Sequence, residues 1–211
     1  MRNTHSRRQI LIMAAGAAAT SLVPAWALEK TPPMTEGPFY PRPADMPLDD
    51  DNDLTRVKGK VGVAGGTLLD LTGRVVDTGG KVVPTATVEI WQCDSQGRYH
   101  DSRDSSSSPL DPYFQGFGKT VTDAEGRFRF RTIRPVAYPG RAPHIHFKVK
   151  AKTFKELTSQ LFVAGDAGLE RDGIWRSLRS AELKKQMAVE LRPAEAASGV
   201  ALAGYFEIMV G

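Results

Sequence analysis

A turn leads directly into a strand at Thr122-Asp-Ala-Glu-Gly-Arg-Phe-Arg-Phe-Arg-Thr132. The second half of this stretch alternates arginine with phenylalanine. Side chains two apart in a strand lie on the same face of a sheet, so the alternation predicts a strand that buries Phe128 and Phe130. The acidic, glycine-containing half predicts the turn before it.

Similar strand signals recur along the chain, separated by turn residues. Strands are predicted at residues 68–77, 86–90, 127–132, 144–149, 187–191 and 200–210, and one or two short helices within 169–185. Many short strands with turns between them predict an all-β fold, a two-sheet antiparallel β-sandwich with short helices and long loops.

The 211 residues correspond to one domain preceded by two other segments. Residues 1–27 are predicted to be an export signal, and residues 28–66, rich in proline and aspartate, an extended N-terminal arm. Residues 67–211 are predicted to form the sandwich domain.

The export signal is predicted from Ser6-Arg-Arg-Gln-Ile-Leu-Ile-Met13, a small apolar stretch and Ala25-Trp-Ala27. This order is typical of a twin-arginine signal with an Ala-x-Ala cleavage site. The alternative is a buried N-terminal helix. Cleavage would give a periplasmic or secreted protein with no membrane segment in its mature form.

Charge and cysteine content exclude some partners. The chain has 28 basic and 24 acidic residues, and residues 1–27 hold three of the basic ones, which leaves 25 against 24. No basic patch interleaved with aromatic residues occurs, so nucleic acid is not an expected partner. The one cysteine, Cys93, cannot form an intrachain disulfide and is predicted to be a buried structural thiol.

A metal site is indicated by Tyr138-Pro-Gly-Arg-Ala-Pro-His-Ile-His146. His144 and His146 stand two apart in a predicted strand and therefore share a face, while residues 145, 147 and 149 face the core. Two imidazoles can share an ion, and a tyrosine as third ligand favours a hard trivalent ion such as ferric iron. The alternative is a pair of strand histidines hydrogen-bonded at the surface.

A second polar segment, residues 88–100, is an alternating strand that ends in a glycine-containing turn with Tyr99. Together with the histidine segment it resembles the intradiol ring-cleavage dioxygenases over roughly residues 35–165. The matching pieces are Glu36-Gly-Pro-Phe-Tyr40, Glu89-Ile-Trp-Gln92, Gly97-Arg-Tyr99, Leu110-Asp-Pro112, Phe128-Arg-Phe-Arg-Thr-Ile133, Tyr138-Pro139, Arg141-x-x-His-Ile-His-Phe147 and Ser159-Gln-Leu-Phe162.

This resemblance implies a non-haem Fe(III) enzyme that uses O2 to cleave a protocatechuate-like or catechol-like substrate between its two hydroxyl-bearing carbons. The implied metal ligands are Tyr99, Tyr138, His144 and His146. Tyr138 would also act as a base. Arg141 would stabilise negative charge on the substrate, and Gln160 would orient the substrate. The implied substrate-binding residues are Gly37, Pro38, Tyr40, Arg141 and Gln160.

The resemblance also implies a homo-oligomer, or a hetero-oligomer with an iron-free subunit. Tyr138 and Arg141 are separated by only two residues, fewer than in the better-known members, so one wall of the pocket is expected to be short and the choice of catechol stays open.

Two other readings exist. Residues 73–90 and 122–130 resemble non-catalytic prealbumin-like sandwich modules of exported proteins, so a prealbumin-like core and a binding role are a second possibility. A cupin-type site would need a carboxylate a few residues after the histidines, but the first acid after His146 is Glu156.

Overall fold

The computed structural model describes residues 29–47 and 49–211, so the predicted export signal lies outside the described residues. The strands are β1 Leu68–Asp77, β2 Thr87–Trp91, β3 Phe117–Val121, β4 Arg127–Ile133, β5 His144–Ala151, β6 Phe154–Val163, β7 Ala188–Val189, β8 Arg192–Pro193 and β9 Leu202–Val210. The helices are α1 Gly173–Arg176 and α2 Ala181–Met187. In the described part of the chain, no helix is long and apolar enough to cross a membrane.

The strands form two sheets that pack face to face. The four-stranded sheet has the order β4-β1-β9-β8, and the five-stranded sheet has the order β3-β2-β5-β6-β7. Phe147 of β5 packs against Phe206 of β9 with ring centroids 5.5 Å apart, which joins the sheets through the core. Phe128 and Phe130 are both buried in this core, as their alternation predicts. The structure therefore confirms the predicted β class, with mostly strands and few helices, and the predicted sandwich of two sheets.

The prediction of purely antiparallel sheets is wrong. β1 pairs with β9 in parallel along its length, and β6 pairs with β7 in parallel, while the other pairs are antiparallel. Antiparallel neighbours are often joined by short hairpins, but a parallel pair needs a long connection. Local alternation predicts a strand without its partner, so it could not predict these two pairings.

The strand predicted at residues 187–191 is also shorter than expected. Helix α2 begins after Ser180, whose hydroxyl caps it by accepting the backbone N–H of Leu183, and continues through Met187. Only Ala188–Val189 remains for β7. The helix therefore takes up the first residue of the predicted strand.

The arm covers the outer face of the five-stranded sheet. Met34 N donates to the carbonyl of Thr158 at 2.9 Å along the free edge of β6, and the arm then crosses towards β5. Side chains on both faces of β5 are buried. Ile145, Phe147 and Val149 face the core, and His144 and His146 are buried on the opposite face, where Gly37 of the arm lies next to the ring of His146. This arrangement confirms the predicted division of β5 into a core face and a histidine face.

Candidate metal centre

Four aromatic side chains with metal-ligating atoms meet where β5 begins. The hydroxyl oxygen of Tyr99 lies 3.5 Å from Nε2 of His144. The ring of Tyr138 has its centroid 5.7 Å from that of Tyr99 and 5.5 Å from that of His144. The two imidazole centroids are 4.9 Å apart. We call these four rings the ring pocket.

A tight turn places Tyr138. The N–H of Arg141 donates to the carbonyl of Tyr138 at 2.9 Å, which closes a four-residue turn. Pro139 occupies its second position, and Gly140 has a φ of +83° in its third, as a type II turn requires. Tyr138 and Arg141 therefore stand opposite each other at the base of the turn.

A second turn places Tyr99. The carboxylate of Asp94 accepts the backbone N–H groups of Gln96 and Arg98, which folds the chain back after β2. The N–H of Tyr99 then donates to Asp104 at 2.7 Å. These contacts fix the backbone from which the buried phenol ring enters the pocket.

The two histidines are held in different ways. Nδ1 of His144 donates to the carbonyl of Ala142 at 2.7 Å, so Nε2 carries the lone pair that faces Tyr99. His146 stacks against Trp91, and its buried Nδ1 has no hydrogen-bond partner among the described residues. Both rings are almost fully buried, so the reading as hydrogen-bonded surface histidines does not fit.

Burial sets the protonation of all four rings. It lowers the pKa of His144 to about 4, with a further contribution from the charge of Arg141, and holds the pKa of His146 well below its usual value. Burial also raises the pKa of Tyr99 well above its ordinary value and raises that of Tyr138. Both imidazoles are therefore neutral at neutral pH, and both phenols keep their protons until a cation displaces them.

Arg141 is fixed from two sides. Its Nε donates to Asp172 at 2.9 Å, and an Nη donates to Oε1 of Gln160 at 2.6 Å. Gln160 is fully buried, and its Nε2 donates to the carbonyl of Thr35 in the arm at 2.9 Å. The structure thus brings together the two residues expected beside the metal ligands and connects them to the arm.

The arm segment 36–40 borders the ring pocket. Gly37 has a φ of +72°, and a Cβ built on it would lie 3.3 Å from Cε1 of His146. Pro38 is exposed. The hydroxyl of Tyr40 donates to Glu89 at 2.9 Å, so its ring lies along the sheet next to Trp91. Of the three arm residues expected near substrate, Gly37 lies next to the ring of His146, and Tyr40 contacts Trp91, the residue stacked on that ring.

The sequence did not single out three residues at this site. Phe39 stacks on Tyr99 with centroids 4.6 Å apart, and Lys148 lies 3.6 Å from the Tyr40 ring centroid. Asp172 pairs with Arg141 from 31 residues away. Phe39 lies within the quoted segment 36–40, and Lys148 continues the histidine face of β5, so both had local signals. Nothing local linked Asp172 to Arg141.

The donor set suits a hard, highly charged cation. Among residues 29–47 and 49–211, no group of three or more His, Cys, Asp or Glu side chains is placed to share an ion. The two histidines therefore need Tyr99 and Tyr138 to complete a ligand set. Two neutral imidazole nitrogens with two phenolate oxygens match a trivalent ion better than a soft or divalent one.

A sandwich with this pocket matches one known class of proteins. The family model described as "Dioxygenase" matches residues 35–210, and the chain belongs to the intradiol dioxygenase family. The chain is 44% identical over 134 residues to the protocatechuate 3,4-dioxygenase beta chain of Burkholderia cepacia, covering 60% of this chain and 57% of that protein.

Two other comparisons agree. Catechol 1,2-dioxygenase 2 of Acinetobacter lwoffii is 32% identical over 180 residues, covering 74% of this chain and 62% of that protein. The dioxygenase domain of a carbohydrate-binding fusion protein from Streptomyces sp. SirexAA-E superposes with a TM-score of 0.64 and 26% identity, covering 86% of this chain and 97% of that chain. The chain thus spans less than two thirds of the length of both curated relatives.

Proposed function

We propose that the protein is a non-haem Fe(III) intradiol dioxygenase that cleaves a catechol. The C–C bond between the two hydroxyl-bearing carbons breaks, both atoms of O2 enter the product, and a cis,cis-muconate-type diacid forms. The observation that carries the proposal is the convergence of Tyr99, Tyr138, His144 and His146 in one buried pocket of a chain from this family. A prealbumin-like binding module is not favoured, because the relatives reported above are named as enzymes.

The four rings would hold the ferric ion, which supplies a Lewis-acid centre that binds the two oxygens of a catechol and makes its ring reactive towards O2. Tyr138 is the phenol placed to exchange a proton with substrate. It is less buried than Tyr99. Of the four rings, Tyr138 is the one that lines a cavity of about 320 Å³, together with Arg141 and Asp172. With the ion bound, Tyr138 would be a phenolate, and its oxygen would accept a proton from a catechol hydroxyl as the substrate binds.

Arg141 supplies positive charge next to this cavity. Arg141 is paired with Tyr138 across the turn and lines the same cavity, and its guanidinium works against burial to lower the pKa of Tyr138. Negative charge that develops on the substrate ring would be stabilised by this fixed cation. Gln160 would orient Arg141 through its Oε1, and the absence of a Cβ at Gly37 lets the arm lie close to His146.

The substrate class is an ortho-diphenol. The two relatives reported above are named for protocatechuate and catechol. In this chain the short turn of residues 138–141 borders the cavity, and Gly140 in this turn is exposed to solvent. A turn this short would leave that side of the cavity open to a substituent on the catechol ring.

The test is the visible spectrum of the iron-loaded protein. Tyrosinate bound to ferric iron should give a charge-transfer band, and adding protocatechuate, catechol or hydroxyquinol without oxygen should shift it. Oxygen uptake and product analysis then identify the substrate. Tyr99→Phe should lose iron and the band, whereas Tyr205→Phe, an exposed tyrosine on β9, should keep both. A wild-type protein that stays colourless after ferric reconstitution would overturn the proposal.

Export and assembly form part of the proposal. The twin arginines at Arg7 and Arg8 support export to the periplasm or medium, and replacing both with lysine should retain the protein in the cytoplasm on cell fractionation. We also propose an oligomer, either of this chain alone or with an iron-free subunit. Light scattering of the purified chain, alone and after co-expression with a candidate partner, distinguishes the two.

A further inference from the structure

We infer that Asp172 is the positioning residue for Arg141, and that it acts by fixing the guanidinium for the reaction. This inference rests on the proposed function. Nε of Arg141 donates to Oδ2 of Asp172 at 2.9 Å, and the N–H of Ala142 donates to the same oxygen at 2.9 Å. One carboxylate oxygen therefore holds both the side chain of Arg141 and the backbone that follows it.

The other oxygen of Asp172 is also fully used. Oδ1 accepts the N–H groups of Ile174 at 2.8 Å and Trp175 at 3.0 Å, which caps the start of α1. The Asp172 side chain is fully buried, so all four of these donors meet a charged acceptor that water does not reach. Hydrogen bonds to a charged group are stronger than neutral ones and are costly to leave unmade when buried.

The network continues from Arg141 to the arm. The Nη of Arg141 donates to Gln160, and Gln160 donates to Thr35, two residues before Gly37. The guanidinium is thus held between a helix start on one side and the segment that borders the ring pocket on the other. Asp172 has the charge that matches Arg141 in this chain of contacts, so its removal should release the Arg141 guanidinium. Ala142 also accepts from His144, and the visible band of the iron-loaded protein reports whether the four rings keep their places.

An asparagine at position 172 separates the two roles of this carboxylate. Asparagine is a good helix cap, so its Oδ1 can keep the bonds to Ile174 and Trp175. Its NH2 group would then face the N–H donors of Arg141 and Ala142, and donors facing donors cannot bond. We therefore expect Asp172→Asn to fold and bind iron, but to displace Arg141.

The experiment measures steady-state kinetics with the catechol that wild type turns over. Because a misplaced catalytic group lowers the rate by about 100-fold for a shift of about 1 Å, kcat of Asp172→Asn should fall at least tenfold, with a smaller change in KM and an unchanged visible band. The matched control is Ser180→Ala, which removes the cap of α2 away from the pocket and should leave kcat unchanged.

A double-mutant cycle shows whether Asp172 acts through Arg141. In an Arg141→Ala background, Asp172→Asn should reduce product formation no further. Wild-type kcat in Asp172→Asn, or the same fold loss with and without Arg141, would overturn the inference. A wild-type protein without catechol-dependent oxygen uptake would instead overturn the proposed function on which the inference rests.

Discussion

The indole ring of Trp91 lies parallel to the imidazole of His146, with ring centroids 4.9 Å apart and 12° between the planes. The two residues are directly paired across β2 and β5. Nδ1 of His146 has no hydrogen-bond partner among the described residues. The position of the imidazole is therefore set by the pairing of its strand with the strand of Trp91. Packing, rather than hydrogen bonding, orients this candidate ligand.

Replacing Trp91 with phenylalanine should reduce iron binding. The smaller ring leaves space beside His146, and we expect a stability loss of about 1–3 kcal/mol together with a lower iron content per chain after reconstitution. Trp175→Phe is the control, since Trp175 is also buried and packs against Phe162. Equal iron content in the two variants would contradict the role of the stacking.

Replacing Gly37 with alanine should lower both the stability and the activity of the protein, whereas the control Gly199→Ala should lower only the stability. The backbone conformation costs an alanine about 1–2 kcal/mol, and its Cβ would crowd Cε1 of His146 at 3.3 Å. Gly199→Ala isolates the first effect, because Gly199 has nearly the same φ, +71°, and a Cβ there would have no described neighbour within 4 Å. Urea unfolding should give similar losses for both variants, and only Gly37→Ala should lose turnover and iron.

Replacing Lys148 with methionine should loosen the arm. Lys148 is buried, pairs with Glu36 and lies 3.6 Å from the Tyr40 ring centroid, so it ties segment 36–40 to β5. We expect a loss of about 1–2 kcal/mol and faster hydrogen exchange in that segment. Lys184→Met, which removes a more distant contact of 5.5 Å with Trp175, should leave exchange in the arm as in wild type.

In the metal-free protein, the contribution of Asp172 to the free energy of unfolding should be lost in acid. Burial acts to raise the pKa of this carboxyl, but hydrogen bonds from Trp175 and Ala142 and the Arg141 guanidinium together hold it below the ordinary value of 3.8. Its stabilising effect is therefore present above pH 3.8 and is lost as pH falls through the lower folded-state pKa. The difference in unfolding free energy between wild type and Asp172→Asn should narrow from pH 7 to about pH 2. A constant difference would contradict this assignment.

The single cysteine should be inert in the folded protein. Burial raises the pKa of Cys93 to about 12, and its thiol lies 3.8 Å from the carbonyl of Val136. Since the thiolate is the reactive form, a disulfide reagent at pH 8 should label Cys93 only after unfolding in urea. Rapid labelling of the native protein would show that this strand end opens.

Local sequence patterns predicted most of the long strands but not which strands pair with each other in the sheets. The alternation at residues 127–132 correctly predicted that Phe128 and Phe130 are buried. Strand β1 also has the predicted bounds. β3 was not predicted, because Gly118 and Lys119 interrupt its short apolar pattern. The parallel partner of β1 is β9, which was predicted as a strand at residues 200–210, but no periodicity indicates that these two distant strands pair.

The same division applies to the candidate site. The turn at Pro139-Gly140 and the strand spacing of His144 and His146 were visible as short-range patterns, so their grouping was predictable. The contact of Arg141 with Asp172 depends on how α1 packs against the turn, and the approach of Gly37 to His146 depends on the path of the arm. Both are tertiary contacts without a sequence signal of their own.

The parallel pairing of β1 with β9 has a consequence for synthesis of the chain. The hydroxyl of Thr72 in β1 donates to the carbonyl of Gly204 in β9, 132 residues later. During synthesis, β9 therefore leaves the ribosome roughly ten seconds after β1. The arm depends on the same late strand, because Thr31 N donates to the carbonyl of Met209. We expect the nascent pocket to stay open until β9 docks, which leaves an interval in which a metal ion can enter before the arm covers His146.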